Sequence, residues 1–230
     1  MMFTVDRLNV YYGESHVIRS ASFALAEGET VAFMGRNGMG KTTLLKSLIG
    51  IIPLRSGSID LSGNDLTHLK SYERVARGLA YVPQGRMIFS QLTVEENILT
   101  GMEHQPGRPV PEYVFAFFPV LREMKRRRGG NLSGGQQQQL AIARALVADP
   151  KVLILDEPTE GIQPSIIKEL AKTLNQIKAE RKLSIILAEQ VLSFALEISD
   201  RFVIIEKGEF VYEGARASVD EARIHSYLTV

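Results

Sequence analysis

The sequence predicts an α/β fold: a mainly parallel core sheet, an N-terminal antiparallel β subdomain and an inserted helical subdomain. Three observations carry this. Short, nearly all-apolar runs such as Thr30–Met34 (TVAFM) and Val152–Leu155 (VLIL) read as strands buried on both faces. Segments with apolar residues at helical spacing alternate with them, as parallel strands joined by crossover helices require. Strands with period-two alternation cluster near the N-terminus, where Phe3/Val5 and Ala21/Phe23/Leu25 mark half-buried faces.

The elements follow in order. Phe3–Val10 and Ala21–Leu25 are strand-like, Glu27-Gly28-Glu29 is a turn, and Thr30–Met34 is a buried strand. That strand runs into a glycine-rich loop and then a helix with Leu44, Leu45, Leu48 and Ile49 at helical spacing, ended by Gly50 and Pro53. Gly57–Leu61 and Gly78–Pro83 are further strands. From there to about Gly130 the pattern is mostly helical, interrupted at Gln105–Pro111. Val152–Leu155 is a strand, and Ile166, Ile167, Leu170, Leu174 and Ile177 mark an amphipathic helix. Ser184–Leu187 is a strand, Val191–Ile198 a helix, and Phe202–Ile205 with Phe210–Tyr212 a hairpin about Lys207-Gly208. The chain of 230 residues reads as a single domain, 1–230, with the helical subdomain at about 85–149.

Composition narrows the function classes. Apolar residues make up 45% and charged residues 23%, an ordinary globular balance. A formal charge of +1 argues against bulk binding to nucleic acid or acidic membrane. The absence of cysteine excludes disulfides, thiolate metal sites and cysteine nucleophiles. The N-terminus has no basic segment followed by an apolar run, so no signal peptide is read. The longest apolar run, Val114–Leu121, falls well short of the ~18 residues that span a bilayer. A role at a membrane would therefore require docking onto something that spans it.

Gly35-Arg36-Asn37-Gly38-Met39-Gly40-Lys41-Thr42, followed by Thr43, fits G-x-x-x-x-G-K-[ST] between a strand and a helix. The glycines let successive backbone N–H groups turn inward, and the helix N-terminus adds its own, so phosphate oxygens are bound there. Lys41 then reaches the β- and γ-phosphates and the Thr42 hydroxyl coordinates Mg²⁺. Asp156-Glu157, at the end of a buried strand, supplies a carboxylate for the metal (Asp156) and a general base for the attacking water (Glu157). In Leu132–Leu146 (LSGGQQQQLAIARAL), Ser133-Gly134-Gly135 reads as an N-cap followed by exposed N–H groups, a second anion-binding helix start. Four successive helical residues point about 100° apart, so Gln136–Gln139 cannot line one pocket and most are expected on the surface. A second phosphate site in a chain with one P-loop is best explained as serving the nucleotide of a partner copy.

The order of P-loop, Gln84 loop, Leu132–Gln136 (LSGGQ) and Ile154–Thr159 (ILDEPT) closely resembles the ATP-binding-cassette (ABC) ATPases over essentially the whole chain. The resemblance implies a P-loop NTPase fold and two cassettes that sandwich ATP head to tail. Ser133, Gly134 and Gly135 would then contact the γ-phosphate in trans, with Gln136 at the edge of that site. Tyr12 matches the aromatic that stacks on adenine, with Tyr11 the alternative, and Gln84 matches the glutamine that senses Mg²⁺ and links the site to membrane subunits. Two departures stand out: Gln163 replaces a usual aspartate and Gln190 a usual switch histidine. Glutamine can donate to a γ-phosphate but cannot take up a proton. His16, His68, His104 and His225 are read as surface or structural.

Gln190 also makes the chain resemble the ATPases of branched-chain amino acid and amide importers. The runs GRNGMGKTTLLKSLIG, SGGQQQQLAIARALVADP and LDEPTEGIQPSIIKEL look most like the urea-importer branch. The resemblance implies an ATPase on the cytoplasmic face of the inner membrane. Its expected partners are a second cassette (a copy or a paralogue), integral permease subunits and, indirectly, a substrate-binding protein, with no nucleic acid. The expected solute is urea or a short amide, with branched-chain amino acids second. A soluble ABC ATPase without a membrane partner and a module that uses ATP only to dimerise are the competing classes. Lys125–Arg128 is read first as a solvated basic loop and second as a face toward lipid headgroups beside a docked membrane partner, and Arg86–Phe89 (RMIF) as either core or a docking patch.

Overall fold

The computed structural model describes residues 1–102 and 107–228. Strands β1 (Phe3–Tyr12) and β2 (Ser15–Leu25) form an antiparallel hairpin, and β3 (Thr30–Met34) follows. Helix α1 (Lys41–Leu48) leads to β4 (Ser56–Leu61), the short β5 (Asn64–Asp65), α2 (Ser71–Ala76) and β6 (Leu79–Val82). Next come α3 (Val94–Leu99), α4 (Glu112–Phe117), α5 (Pro119–Glu123) and α6 (Gly134–Leu146). The chain continues through β7 (Val152–Asp156), α7 (Pro164–Arg181), β8 (Ser184–Glu189), α8 (Leu192–Ile198), β9 (Arg201–Glu206), β10 (Glu209–Ala215) and α9 (Glu221–Leu228). Of the interruption expected at Gln105–Pro111, residues 105 and 106 lie outside the described residues, as does His104.

One sheet is antiparallel, in the order β2-β1-β4-β5; the other runs β10-β9-β3-β8-β7-β6. In the second, β9, β3, β8, β7 and β6 are parallel and only β10 pairs antiparallel. Strand β3 shows why its sequence is apolar throughout. It has a neighbour on each side, and its side chains alternate between two cores. Ala32 and Met34 join the core built with α3–α8, whereas Val31 and Phe33 join the core built with α1, β1, β2 and β4. Strands β7 and β8 divide their residues in the same way.

The chain turns from β3 into α1 at Gly40, whose φ is 111° and where an added Cβ would lie 2.9 Å from the Ile18 side chain. Only glycine adopts that conformation without strain. The other end of α1 is closed by Arg74. Its guanidinium donates to the carbonyls of Ser47 (2.8 Å), Leu48 (2.7 Å), Thr67 (2.9 Å) and Leu69 (3.0 Å), so a fully charged side chain is buried with its donors satisfied.

Helix α6 starts on a capping box: Ser133 Oγ accepts from the Gln136 N–H, and Gln136 Oε1 accepts from the Ser133 N–H at 2.9 Å. The expectation that most of Gln136–Gln139 lie on the surface is corrected here. Gln138 and Gln139 are buried and the other two are half-buried. The reason is that α6 packs against α3, α5 and α7, and it meets α7 closely enough that a Cβ on Gly135 would lie 2.7 Å from Ile166. A helix enclosed on several sides cannot keep an exposed polar face. Gln138 Nε2 and Gln139 Oε1 find no hydrogen-bond partner among the described residues.

Candidate nucleotide-binding site

The parallel strands end at one edge, and the loops leaving four adjacent strands meet there. The residues at the strand ends are aligned: Met34 pairs with Glu189, Asp156 with Ala188, and Val82 with Leu155. The glycine-rich loop after β3, Gln190 after β8, Glu157 after β7 and Gln84 after β6 are thereby brought together without any long excursion of the chain.

A cavity of about 340 Å³ is lined by Asn37, Gly38, Gly40, Lys41, Thr42, Thr43, Gln84 and Glu157, with Val17 from β2. Lys41 is buried, and its ammonium donates to the carbonyls of Gly35 (2.6 Å) and Arg36 (3.1 Å) and lies 3.3 Å from Glu157 Oε1. Glu157 is held in a left-handed conformation, φ 46°, with its N–H donating to Ala188 O at 2.9 Å. Such a backbone costs about 1–3 kcal/mol and persists where the surroundings over-determine it. It aims the carboxylate at three donors: Lys41, Gln190 Nε2 at 2.9 Å on Oε1, and Gln84 Nε2 at 3.3 Å on Oε2. Gln190 Nε2 also donates to Asn37 Oδ1 at 2.7 Å, tying the β8 loop to the glycine-rich loop.

Asp156 closes β7 and is buried. Its Oδ1 accepts from the Thr42 hydroxyl at 3.0 Å and its Oδ2 from the Tyr81 hydroxyl at 2.9 Å. Burial pushes the Asp156 carboxyl above the usual carboxylate range, against the two hydrogen bonds, which lower it. Burial, and next the Asp156 charge, push the Tyr81 phenol far above its ordinary value, so it stays a donor.

Thr42 and Asp156 form a hard oxygen donor set, which suits Mg²⁺. No group of three or more His, Cys, Asp or Glu that could hold a metal occurs among the described residues. Few protein ligands, with water and phosphate supplying the rest, is the way Mg²⁺ is commonly held. The glycine-rich loop and the N-terminus of α1 present the backbone needed for phosphate, so the residues present fit both groups.

The remaining expected residues, Ser133, Gly134, Gly135 and Gln136 among them, do not line this cavity. Tyr12 is 52% exposed at the end of β1, while Tyr11 stacks on His16 with ring centroids 4.2 Å apart. Met39 accepts from the Lys207 N–H through its sulfur at 3.4 Å. After Gln84 the chain takes three left-handed steps at Gly85, Arg86 and Met87. Arg144 on α6 donates to the carbonyls of Arg86 (3.1 Å) and Met87 (2.9 Å), and Arg86 donates to Glu160 O at 2.5 Å. Met87 and Phe89 are exposed beside a largely apolar cavity of about 660 Å³ that also touches Tyr81 and Arg144. In the basic run, Lys125 pairs with Glu95 at 3.1 Å and Arg128 contacts Gln91 at 3.4 Å.

Two further side chains at the site, Tyr81 and Glu189, carry no motif in the sequence. Tyr81 was legible only as part of a strand. Glu189 ends β8 as an acid after an apolar run, the pattern that drew notice to Asp156. It is buried, and it accepts from Thr159 Oγ1 (2.8 Å) and from the N–H groups of Gln190 (2.7 Å) and Val191 (3.0 Å).

The family model for ABC transporters matches residues 18–160. The chain belongs to this family. This cassette is accordingly an ATPase that uses ATP with Mg²⁺. It is 38% identical to the high-affinity branched-chain amino acid transport ATP-binding protein BraG of Pseudomonas aeruginosa, over 95% of this chain and 94% of that one. It is 37% identical to the probable branched-chain amino acid transport ATP-binding protein LivF of Archaeoglobus fulgidus, over 93% and 92%. A solved structure of an ATP-binding subunit of an ABC transporter superposes over the whole of both chains, with a TM-score of 0.83 at 26% identity. The ABC fold expected from the sequence is thus the fold observed.

Proposed function

We propose that this cassette powers import of branched-chain amino acids. The observation that carries the reading is the similarity, over more than nine-tenths of both chains, to two branched-chain amino acid transport ATP-binding proteins. The cassette works as one of a pair, bound to permease subunits and peripheral to the inner membrane. No helix among the described residues is long and apolar enough to cross a membrane.

Within that activity the glycine-rich loop from Gly35 to Gly40, with Thr43, binds the phosphates through backbone N–H groups, and Lys41 moves its charge from Glu157 to the phosphate oxygens. Thr42, Asp156 and Gln84 hold Mg²⁺. When bound, the metal neutralises charge on the phosphates and aligns them. Glu157 orients the attacking water, and Gln190 steadies Glu157 and donates to the γ-phosphate. Tyr12 stacks on adenine. The second cassette offers Ser133, Gly134 and Gly135 at the start of its α6, with Gln136 at the edge. Glutamine at position 190 does not ionise, so proton uptake in the site is left to the carboxylate. The geometry supporting these roles is the convergence of Lys41, Gln84 and Gln190 on Glu157, and of Thr42 on Asp156.

Urea or a short amide is the second reading, favoured by the three sequence runs that resemble the urea-importer branch. Uptake of labelled leucine, urea and acetamide by cells lacking this chain separates the two. We expect leucine uptake to fall and urea uptake to stay. Loss of urea uptake with leucine uptake intact overturns the first reading in favour of the second.

A further inference from the structure

Both oxygens of Asp156 are engaged, by two donors on the α1 face of the sheet. Thr42, in the first turn of α1, takes Oδ1, and Tyr81, on the neighbouring strand β6, takes Oδ2. Tyr81 pairs with Ile154, two residues before Asp156, so the phenol spans the gap to the end of β7. A carboxylate turns readily about its last torsion, which has a broad two-fold profile. One hydrogen bond leaves that rotation open; two on different oxygens fix the plane. The ring of Tyr81 also lines the apolar cavity beside Met87 and Phe89, where a phenylalanine would pack equally well. Packing therefore accounts for the ring, and Asp156 accounts for the hydroxyl.

We propose that Tyr81 is a positioning residue that fixes the Asp156 carboxylate for divalent-metal binding and so sets the metal affinity of the site. The proposal rests on the reading of Asp156 as a metal-holding residue. Partners that orient a metal ligand are commonly worth about 10–100-fold in affinity.

The test uses the whole chain, with ADP present and Mn²⁺ as probe, free Mn²⁺ being followed by electron paramagnetic resonance. Tyr81→Phe keeps the ring and loses the hydroxyl. We expect its Mn²⁺ affinity to fall about tenfold. The Mg²⁺ concentration for half-maximal ATPase activity should rise in parallel, with a smaller change in rate at saturating Mg²⁺. Asp156→Asn is the reference and should lose most Mn²⁺ binding. If Tyr81→Phe binds Mn²⁺ like the parent while Asp156→Asn does not, the role of Tyr81 is overturned and the metal reading stands. A Tyr81→Phe defect confined to the rate at saturating metal overturns it as well. If Asp156→Asn binds like the parent, the metal reading falls and takes the Tyr81 role with it.

Discussion

Glu189 places a carboxylate where water does not reach, and three donors keep it there. Two of them are backbone N–H groups at Gln190 and Val191, so this acid shapes the loop that carries Gln190. The third, Thr159, ties that loop to the segment after β7. Burial raises the Glu189 carboxyl above the usual carboxylate value, so the folded chain holds its proton more tightly than the unfolded chain does. Its contribution to stability is then greatest below the unfolded value and declines as pH rises through the raised one. Glu189→Gln removes this titration while keeping the shape. In thermal unfolding without nucleotide, we expect the melting temperature of the variant, relative to the parent, to be more favourable at pH 8 than at pH 5. The residues at the site differ in how openly the sequence displays them. Lys41, Thr42, Asp156 and Glu157 stand out because glycines or an apolar strand frame them. Glu189 ends an apolar strand as Asp156 does, but no glycine loop or second acid draws attention to it. Tyr81 reads as an ordinary strand aromatic, since its importance lies in the carboxylate that faces it from the neighbouring strand.

At the level of elements, α1 is held at both ends by unlike means. Gly40 starts it through a backbone conformation, and Arg74 finishes it through side-chain donors from α2. Burial pulls the Arg74 guanidinium below its ordinary value, yet four carbonyls keep it satisfied. Arg74→Met fills similar space and leaves those carbonyls without partners. We expect a loss of about 3 kcal/mol, read as a lower urea midpoint. The start of α1 was legible from its glycines and the end from Gly50, because local backbone chemistry sets both. The role of Arg74 was not legible, since a charged residue in a polar stretch gives no sign that tertiary packing will enclose it. The same cause misplaced the glutamines of α6: helical periodicity says which residues share a face, not how many faces are covered.

At the scale of the molecule, the two cores lie on opposite faces of one sheet, and the burial of its central strands on both faces is readable in the all-apolar runs TVAFM and VLIL. The pairing of cassettes is a different kind of information. Residues Ser133–Gln136 begin a well-capped helix that does not line the chain's own cavity, and the role proposed for them requires a second molecule. We expect turnover per chain to rise with chain concentration, and Ser133→Glu to cut turnover about a hundredfold while ATP binding by the single chain persists. A fluorescent ATP analogue and phosphate release measure the two separately. Around Glu157, donors from three segments of the chain converge on one carboxylate. Lys41, Gln84 and Gln190 are already turned toward a negative group, and the chain supplies that group itself. On the roles proposed above, an incoming nucleotide would compete with the Glu157 carboxylate for these donors, so its entry would exchange one anion for another and free the carboxylate for its own work.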